Sequence, residues 1–396
     1  MRSLQIIVIL LLLVVSVWGL AKPGKKPVSV GLAITGGFRD TAWEIGNDLS
    51  LQVDTDNLEI RLRAPIYYTI AKHPRLDPYD WDQPGDYGRI LDQLRVHTDN
   101  NSLVLSAGPL RNVTLGIGEI AAGYFNYLSH RSARAGFRLK ADMNFLGADV
   151  VVSNIISPLD LIMADVFFRP MYSLGGVLRH FRLEAQIAGI RPVSGKEYTR
   201  YGFGLHAAVY ENKNFSIGLL AFMRKEIYTF GLFSDWKARH VSGNVQAGLR
   251  VTHLQANTPL IGPFFDVDRQ CLGCLGSKKT IQNKGPRWDS IGVAAGFLRF
   301  RLLVSHILDL WGLIDFDTVD TAVYAAGMGL TLGNVRAAAT VAIRGRGNYM
   351  YSAEARWMFY GPLYLTVQGS QSFDYDNAQL HRVNVVMGGL GAILRW

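Results

Sequence analysis

The sequence predicts an all-β fold, a single antiparallel β-barrel that crosses a membrane, and three observations support this prediction. Ionic and apolar residues alternate with a period of two along about eight stretches of the chain. The N-terminus has the form of a secretory signal peptide. Beyond it no apolar run is long enough for a membrane helix, although 49% of the residues are hydrophobic.

The N-terminal segment, residues 1–21, is the first element. Its apolar run covers 6–15, and Gly19 and Ala21 provide small residues three positions and one position before a cleavage point. The run is shorter than the roughly 20 residues of a spanning helix, which favours a cleaved signal over a transmembrane anchor. We therefore expect a signal peptide at 1–21 and one barrel domain over 22–396.

The alternating stretches follow, and each predicts a β-strand. In 134–143 the even positions are ionic and include Arg138 and Lys140, whereas odd positions such as Phe137 and Leu139 are apolar. Period two indicates extended backbone, because successive side chains project to opposite faces. The pattern recurs at 58–64, 181–187, 244–252, 299–305, 335–346, 351–359 and 363–369.

Alternation also fits an exported soluble β-protein with one apolar face in its core. A membrane barrel is favoured because small residues interleave with ionic ones on the polar face, as they would around a lumen, and because only helices and closed barrels satisfy the backbone in hydrocarbon. With about 10 residues per strand, the chain allows roughly 14 to 18 strands. The pattern of alternating stretches and breaks fits 16 or 18 strands best, and the strands predicted at 28–35, 87–96 and 310–316 have the weakest alternation.

Breaks in the alternation predict the loops. Residues 72–88 and 258–286 are rich in proline and turn-forming residues, so we expect two long loops there. The shorter breaks at 211–214, 345–348 and 360–362 predict tight turns. Barrels of this kind place long loops outside the cell and short turns in the periplasm.

The second long loop contains both cysteines of the chain, Cys271 and Cys274. In an exported protein an oxidising compartment favours a disulfide, so we expect a small ring that staples the loop. A redox pair would need thioredoxin-like surroundings, which the sequence lacks. A metal would need two further ligands, and no histidine lies nearby, so we expect neither a metal nor another cofactor.

The glycine-rich residues 115–119 superficially resemble a phosphate-binding loop. They lack the third glycine of a dinucleotide fingerprint and the lysine of a P-loop, so nucleotide binding is disfavoured. Glycines at these positions favour instead a bend or a close approach to the barrel wall. If residues 113–127 fold inward, they would constrict or plug the lumen.

The C-terminus carries Gly391, Leu394 and Trp396, which stand five, two and zero residues from the end. This pattern resembles the terminal assembly signal of Gram-negative outer-membrane β-barrel proteins of the porin-like class, although Gly389 replaces a usually polar residue. The resemblance covers the last strand and indicates no narrower family. It implies a bacterial outer-membrane location, contact with lipid and lipopolysaccharide, and recognition of the C-terminal strand by the barrel-assembly machinery.

The polar faces of the alternating stretches carry thirteen bases and four acids. Inside a low-dielectric wall this surplus would attract anions. The residues expected to line the lumen are Arg61, Arg63, Arg138, Lys140, Arg182, Glu184, Arg250, Arg299, Arg301, Arg336, Arg344, Glu354 and Arg356. We therefore expect a porin-like channel for small, preferably anionic solutes, and no nucleic-acid partner. Oligomeric state and solute identity do not follow from these residues.

Two other functions are compatible with parts of the sequence. A plugged barrel could act as a scaffold, adhesin or assembly partner, and the loops do not discriminate between it and a channel. An outer-membrane lipid hydrolase would need a serine beside a histidine. His130 with Ser132, and Ser305 with His306, bring these residue types together in sequence, but such proximity is common among 9 histidines. We expect no catalytic residues.

Overall fold

The computed structural model describes residues 28–40, 42–70, 75–76, 88, 90–110, 112–116, 121–126, 135–174, 181–190, 201–211, 215–224, 227–237, 242–252, 293–304, 307–316, 323–344, 348–376 and 379–395. Between 201 and 252 only some of the side chains are described. The signal segment, the predicted loop 258–286 with both cysteines, the serine and histidine pairs and Trp396 lie outside the described residues. The predicted loop 72–88 also lies outside them, except for residues 75–76 and 88.

The described residues form twenty-one strands of one sheet. The strands are β1 (Val28–Arg39), β2 (Ala42–Asp54), β3 (Leu58–Ile70), β4 (Arg75–Leu76), β5 (Leu91–His97), β6 (Leu103–Gly108), β7 (Gly136–Asp142), β8 (Leu146–Val152), β9 (Leu161–Phe168), β10 (Arg182–Ile190), β11 (Tyr201–Glu211), β12 (Phe215–Arg224), β13 (Ile227–Lys237), β14 (Ser242–Thr252), β15 (Val293–Val304), β16 (Leu308–Phe316), β17 (Val323–Leu332), β18 (Val335–Arg344), β19 (Asn348–Tyr360), β20 (Leu363–Asp376) and β21 (Gln379–Arg395).

The sheet is antiparallel and returns to its first strand. Each strand pairs with the next along the chain, except that β4 and β5 both pair with β3. β1 pairs with β2 on one side and with β21 on the other, where Ser29 lies opposite Arg395 and Arg39 opposite Val385. The described strands therefore form a closed β-barrel, and the predicted all-β fold class is confirmed. Within the described residues, no helix has the length and apolar character needed to cross a membrane.

The number of strands exceeds the predicted range of 14 to 18. The two-residue β4 shares the edge of β3 with β5, which leaves twenty full positions around the ring of described strands. The prediction assumed about 10 residues per strand, whereas β5 to β9 have only 6 to 8 residues each. Longer strands such as β20 and β21, with 14 and 17 residues, offset these five, so the larger number of crossings reflects short links between strands, such as 333–334 and 361–362.

Alternate residues of each strand face the two sides of the wall. In β9, Leu161 and Met163 are fully buried toward the lumen, whereas Val166 and Phe168 are exposed on the outside. Large apolar side chains are exposed on the outer face all around the barrel. Examples are Leu32, Ile34, Leu183, Ile187, Leu205, Leu219, Leu232, Leu298, Phe300, Val367, Val386 and Leu390.

The two ends of the barrel differ in the length of their links. The longest links, residues 71–90, 109–135 and 253–292, all leave from one end, which we call the loop end. Both predicted long loops fall within these links. The opposite end, which we call the terminal end, carries the start of β1, the end of β21 and turns as short as 333–334 and 361–362. Glycines at both of these turns adopt positive φ angles, of 54° at 333 and 51° at 361.

Candidate functional site

A segment between β6 and β7 enters the barrel from the loop end. We call the described residues 109–110, 112–116 and 121–126 the inward segment. It folds back on itself, because Val113 and Tyr124 exchange backbone hydrogen bonds of 2.7 and 2.9 Å. Leu115 and Tyr124 are 0% exposed. The described part of the segment predicted to fold inward therefore lies in the interior of the barrel.

The inward segment packs against one side of the wall through aliphatic contacts. Leu115 and Tyr124 belong to one buried cluster with Val151 of β8, Met163 of β9 and Ala188 of β10. Leu110 joins the same cluster, and its N–H donates to Asn126 Oδ1 at 2.7 Å. Asn126 Nδ2 donates in turn to the carbonyl oxygen of Ser153 at 2.6 Å. Hydrogen bonds and apolar packing thus hold the segment to β8, β9 and β10.

The other side of the same segment reaches the opposite wall. Ala122 and Phe125 form a second buried cluster with residues of β16 to β20. This cluster includes Leu313, Ala325, Ala342, Met350 and Phe373, with Trp311 packed against it. Since both clusters belong to one short segment, the segment spans the lumen from wall to wall.

Gly116 of the inward segment lies close to the wall. It has a φ of 50°, and a Cβ at this position would overlap Glu184 Oε1 and Gln186 Nε2. Gln186 Nε2 donates to the carbonyl oxygen of Leu115 at 2.9 Å and to Glu184 Oε1 at 3.0 Å. Glycine is required here for both reasons, since other residues disfavour positive φ and carry a Cβ.

Beside the inward segment, the lumen holds two adjoining cavities. The loop-side cavity, of about 360 Å³, is lined by Phe125 and Trp311 with several hydroxyl and amide side chains. The terminal-side cavity, of about 580 Å³, lies toward the terminal end. Arg63, Asp92 and Arg138 line both cavities. The segment therefore constricts the lumen without filling it.

Seven of the residues expected in the lumen line these cavities. They are Arg61, Arg63, Arg138, Arg301, Arg336, Glu354 and Arg356. Lys140 is exposed, and it lies two residues from Arg138 and therefore on the same inward face of its strand. Arg344 is half-buried and lies on the same face of its strand as Arg336. The side chain of Arg250 lies outside the described part of the chain.

Three further residues of the predicted set are held within the wall. Glu184 contacts Gly116 and forms an ion pair with Arg182, whose guanidinium lies 4.3 Å from the centre of the Phe167 ring. Arg299 is buried and pairs with Asp315, with 3.0 Å between Nη2 and Oδ2. These charged groups stabilise the wall and the contact between the wall and the inward segment.

Four of the predicted bases, Arg299 among them, have acidic partners that the sequence pattern missed. Arg138 donates from Nε and Nη2 to the two carboxylate oxygens of Asp149, at 2.9 and 2.6 Å. Arg63 pairs with Asp48 at 2.5 Å. Arg301 pairs with Asp309 at 2.8 Å. These acids face inward from strands in which ionic residues do not alternate regularly, so the expected ratio of thirteen bases to four acids overstated the positive charge.

A smaller basic surplus remains around the two cavities. Their described lining includes seven arginines and four acids, and two of these arginines, Arg61 and Arg138, are paired with Glu59 and Asp149, which do not line the cavities themselves. The arginines are Arg61, Arg63, Arg95, Arg138, Arg301, Arg336 and Arg356, and the acids are Asp48, Asp92, Asp309 and Glu354. Arg95 was not predicted, because the alternation is weak in its strand. It is exposed and forms no ion pair with any described residue.

The C-terminal strand joins the barrel to its first strand. Gly391 lies opposite Ala33 of β1, and Leu394 lies opposite Val30. A Cβ at Gly391 would overlap the ring of Tyr364 on β20, so this glycine provides the space in which the tyrosine packs. Leu394 is exposed on the outside of the barrel. Two residues of the predicted assembly signal thus lie on the strand that closes the barrel.

Comparison with known proteins gives structural similarities only. No family model matches the chain, and no curated protein matches it. A triple mutant of the Rhodopseudomonas blastica porin is 8% identical, with 93% of this chain and 99% of that one covered and a TM-score of 0.28. The Pseudomonas aeruginosa outer membrane protein OpdK (9% identity, 93% and 98% covered, TM-score 0.31) and Acinetobacter baumannii OccAB3 (9%, 93% and 98%, 0.33) are also similar.

Proposed function

We propose that this chain is a bacterial outer-membrane barrel that forms a porin-like channel for small solutes, with a preference for anions. The observation that carries the proposal is a closed barrel in which the inward segment leaves cavities lined by more bases than acids. Neither an enzyme nor a cofactor is needed to account for this arrangement.

The outer surface supports a membrane location. Leu32, Ile34 and Phe38 of β1 are each more than half exposed, and similar residues surround the barrel. So large an apolar surface is typical of contact with lipid. Aromatic pairs lie near both ends, Phe38 with Trp43 at the loop end and Trp357 with Phe359 at the terminal end, as in the girdles of outer-membrane barrels. In this proposal the outer face contacts outer-membrane lipid and lipopolysaccharide.

The charge of the cavities supports an anion preference. Arg95 is exposed to the lumen, and Arg356 has no ion-pair partner among the described residues. A net positive lining surrounded by a low-dielectric wall concentrates anions and repels cations. The paired arginines contribute little to this field, because their carboxylate partners offset them. We therefore propose a moderate preference that depends chiefly on Arg95 and Arg356.

A plugged barrel that serves as a scaffold, adhesin or assembly partner is the second candidate. The contact of the inward segment with both walls favours it, since Leu115 and Phe125 pack into buried clusters on opposite sides. In this case the cavities would be enclosed pockets, and no continuous path would connect the two ends.

A planar bilayer experiment separates the two candidates. The mature protein should conduct ions. In a potassium chloride gradient, the reversal potential should shift toward the equilibrium potential of chloride. The preference should shrink as salt is raised, because the Debye length falls from about 10 Å at 0.1 M to about 3 Å at 1 M. Arg95→Glu should reduce it without loss of assembly. Absence of conductance from folded protein would establish the plugged barrel, and a cation preference would overturn the anion assignment.

A further inference from the structure

Two arginines lie directly opposite each other on the lumen face near the terminal end. Arg336 of β18 is the register partner of Arg356 of β19, and both line the terminal-side cavity. Residues directly opposite in an antiparallel pair have Cβ atoms about 4.5–5.5 Å apart, and like charges in this position destabilise the sheet. An anion between the two guanidinium groups would convert this repulsion into attraction.

The row continues on both neighbouring strands with hydroxyl groups. Thr331 of β17 is the register partner of Arg336, and Thr366 of β20 is the register partner of Arg356. Both threonines line the same cavity. Four adjacent strands thus present a threonine, two arginines and a second threonine in one row. Every one of these side chains can donate a hydrogen bond to an anion.

Arg356 is held in place by an aromatic ring. Its guanidinium carbon lies 4.6 Å from the centre of the Tyr364 ring. Tyr364 is buried, and it packs over Gly391, where a side chain would overlap the ring. Stacking uses the face of the guanidinium plane and leaves the N–H groups at its edge able to donate. The arginine is therefore oriented before any ligand arrives.

We propose that Thr331, Arg336, Arg356 and Thr366 form a binding site for a tetrahedral oxyanion of the phosphate class, either inorganic phosphate or the phosphate group of a small ester. Two guanidinium forks and two hydroxyls offer more donors than a planar carboxylate can accept, and they match an anion with oxygens in several directions. The inference rests on the proposed function in one respect, since solutes must reach the lumen. The proposal adds a discrete anion-binding site to the diffuse positive potential of the lumen.

Glu354 sets a limit on the affinity of this site. It lies two residues from Arg356 on the same face of β19 and lines the same cavity. Its negative charge would repel a bound anion and favour release. A channel site needs this balance, because a solute must bind well enough to enter and weakly enough to leave.

The test measures inorganic phosphate in two independent ways on the full mature protein. Calorimetric titration of the protein in detergent should detect binding, and phosphate added to a bilayer should reduce the chloride current with a saturable dependence. Nitrate at equal ionic strength should do neither. Arg356→Gln should weaken phosphate binding by about tenfold or more, as expected for a lost charge-assisted pair. Glu354→Gln should strengthen it.

Arg95→Gln is the matched control, because it removes the same charge from the same cavity away from the row. It should leave phosphate affinity within about twofold of the wild type. Equal losses in Arg95→Gln and Arg356→Gln would overturn the site in favour of a diffuse field. Heat-modifiability on a gel checks that each variant is folded. If Arg356→Gln does not fold, Arg356→Lys takes its place, because lysine keeps the charge but lacks the paired N–H donors of the guanidinium group.

The two proposals fail in different ways. An anion-selective current without phosphate binding would overturn the site and leave the channel standing. Phosphate binding by a protein that never conducts would support the site and overturn the channel.

Discussion

Gly116 lies directly against the carboxylate of Glu184, and this contact joins the inward segment to the barrel wall. The glycine adopts a φ of 50°, in the left-handed region. Gln186 links the inward segment to the wall beside this contact, because its Nε2 donates to the carbonyl oxygen of Leu115 and to Glu184 Oε1. The position of the constriction therefore depends on a residue without a side chain.

Replacement of Gly116 by alanine should displace the inward segment. The substitution adds about 1–2 kcal/mol of backbone strain and places a methyl group where Glu184 and Gln186 now lie. Single-channel recordings should show a larger or noisier conductance than the wild type. Gly333→Ala is the control, since this glycine has a φ of 54° but no atom within 4 Å of the position that a Cβ would occupy. Equal effects in the two variants would show that strain alone matters.

The buried ion pair between Arg299 and Asp315 should be costly to break from one side. Both side chains are at most 7% exposed, with 3.0 Å between their closest atoms. Asp315→Leu should destabilise the barrel by about 3–5 kcal/mol, because it leaves the guanidinium buried without that carboxylate. Urea unfolding in lipid vesicles measures the change. Addition of Arg299→Met should restore much of the stability, and failure of the double variant to do so would argue that packing is responsible.

Neighbouring residues of β7 should respond oppositely to a change of polarity. Leu139 has the outward parity and Lys140 the inward parity, since the adjacent Arg138 pairs with Asp149 across the lumen face. Arginine at a lipid-facing midplane position costs about 2–4 kcal/mol. Leu139→Arg should therefore impair membrane assembly, whereas Lys140→Leu should assemble normally. Labelling of cysteine at 140 from the lipid phase, with cysteine at 139 protected, would reverse the assignment.

Deletion of Trp396 should leave export intact and prevent insertion. The residue ends the motif whose Gly391 and Leu394 lie on the strand that pairs with β1. The proposed partner is the barrel-assembly machinery. Cell fractionation should find the truncated protein in periplasmic aggregates or degraded. If the variant reaches the outer membrane in a heat-modifiable form, the terminal residue is not an assembly signal.

The wall of the barrel could be predicted largely from local patterns. The alternation around Arg138 and Leu139 indicates both a strand and its two faces, because side-chain period is a property of the extended backbone itself. The alternation at 363–369 predicts that Tyr364 and Thr366 lie on the same face of their strand, as they do in the structure. The glycines at 115–119 predict a close approach to the wall, and Gly116 makes one.

Properties that depend on register could not be obtained in this way. Asp48 and Asp149 neutralise Arg63 and Arg138 from neighbouring strands, and Arg336 meets Arg356, only because particular residues lie opposite each other. Register is a relation between strands, and no single strand encodes it.

The alternation between a polar and an apolar face along each strand follows from the amino-acid sequence alone, because each residue's polarity and the two-residue period are local properties. The number of described strands that close the ring, the charges that cancel, and the contact of Tyr124 and Phe125 with opposite walls of the lumen all depend on the folded chain. These features arise from contacts between residues distant in sequence. Their energies depend on which groups meet in space.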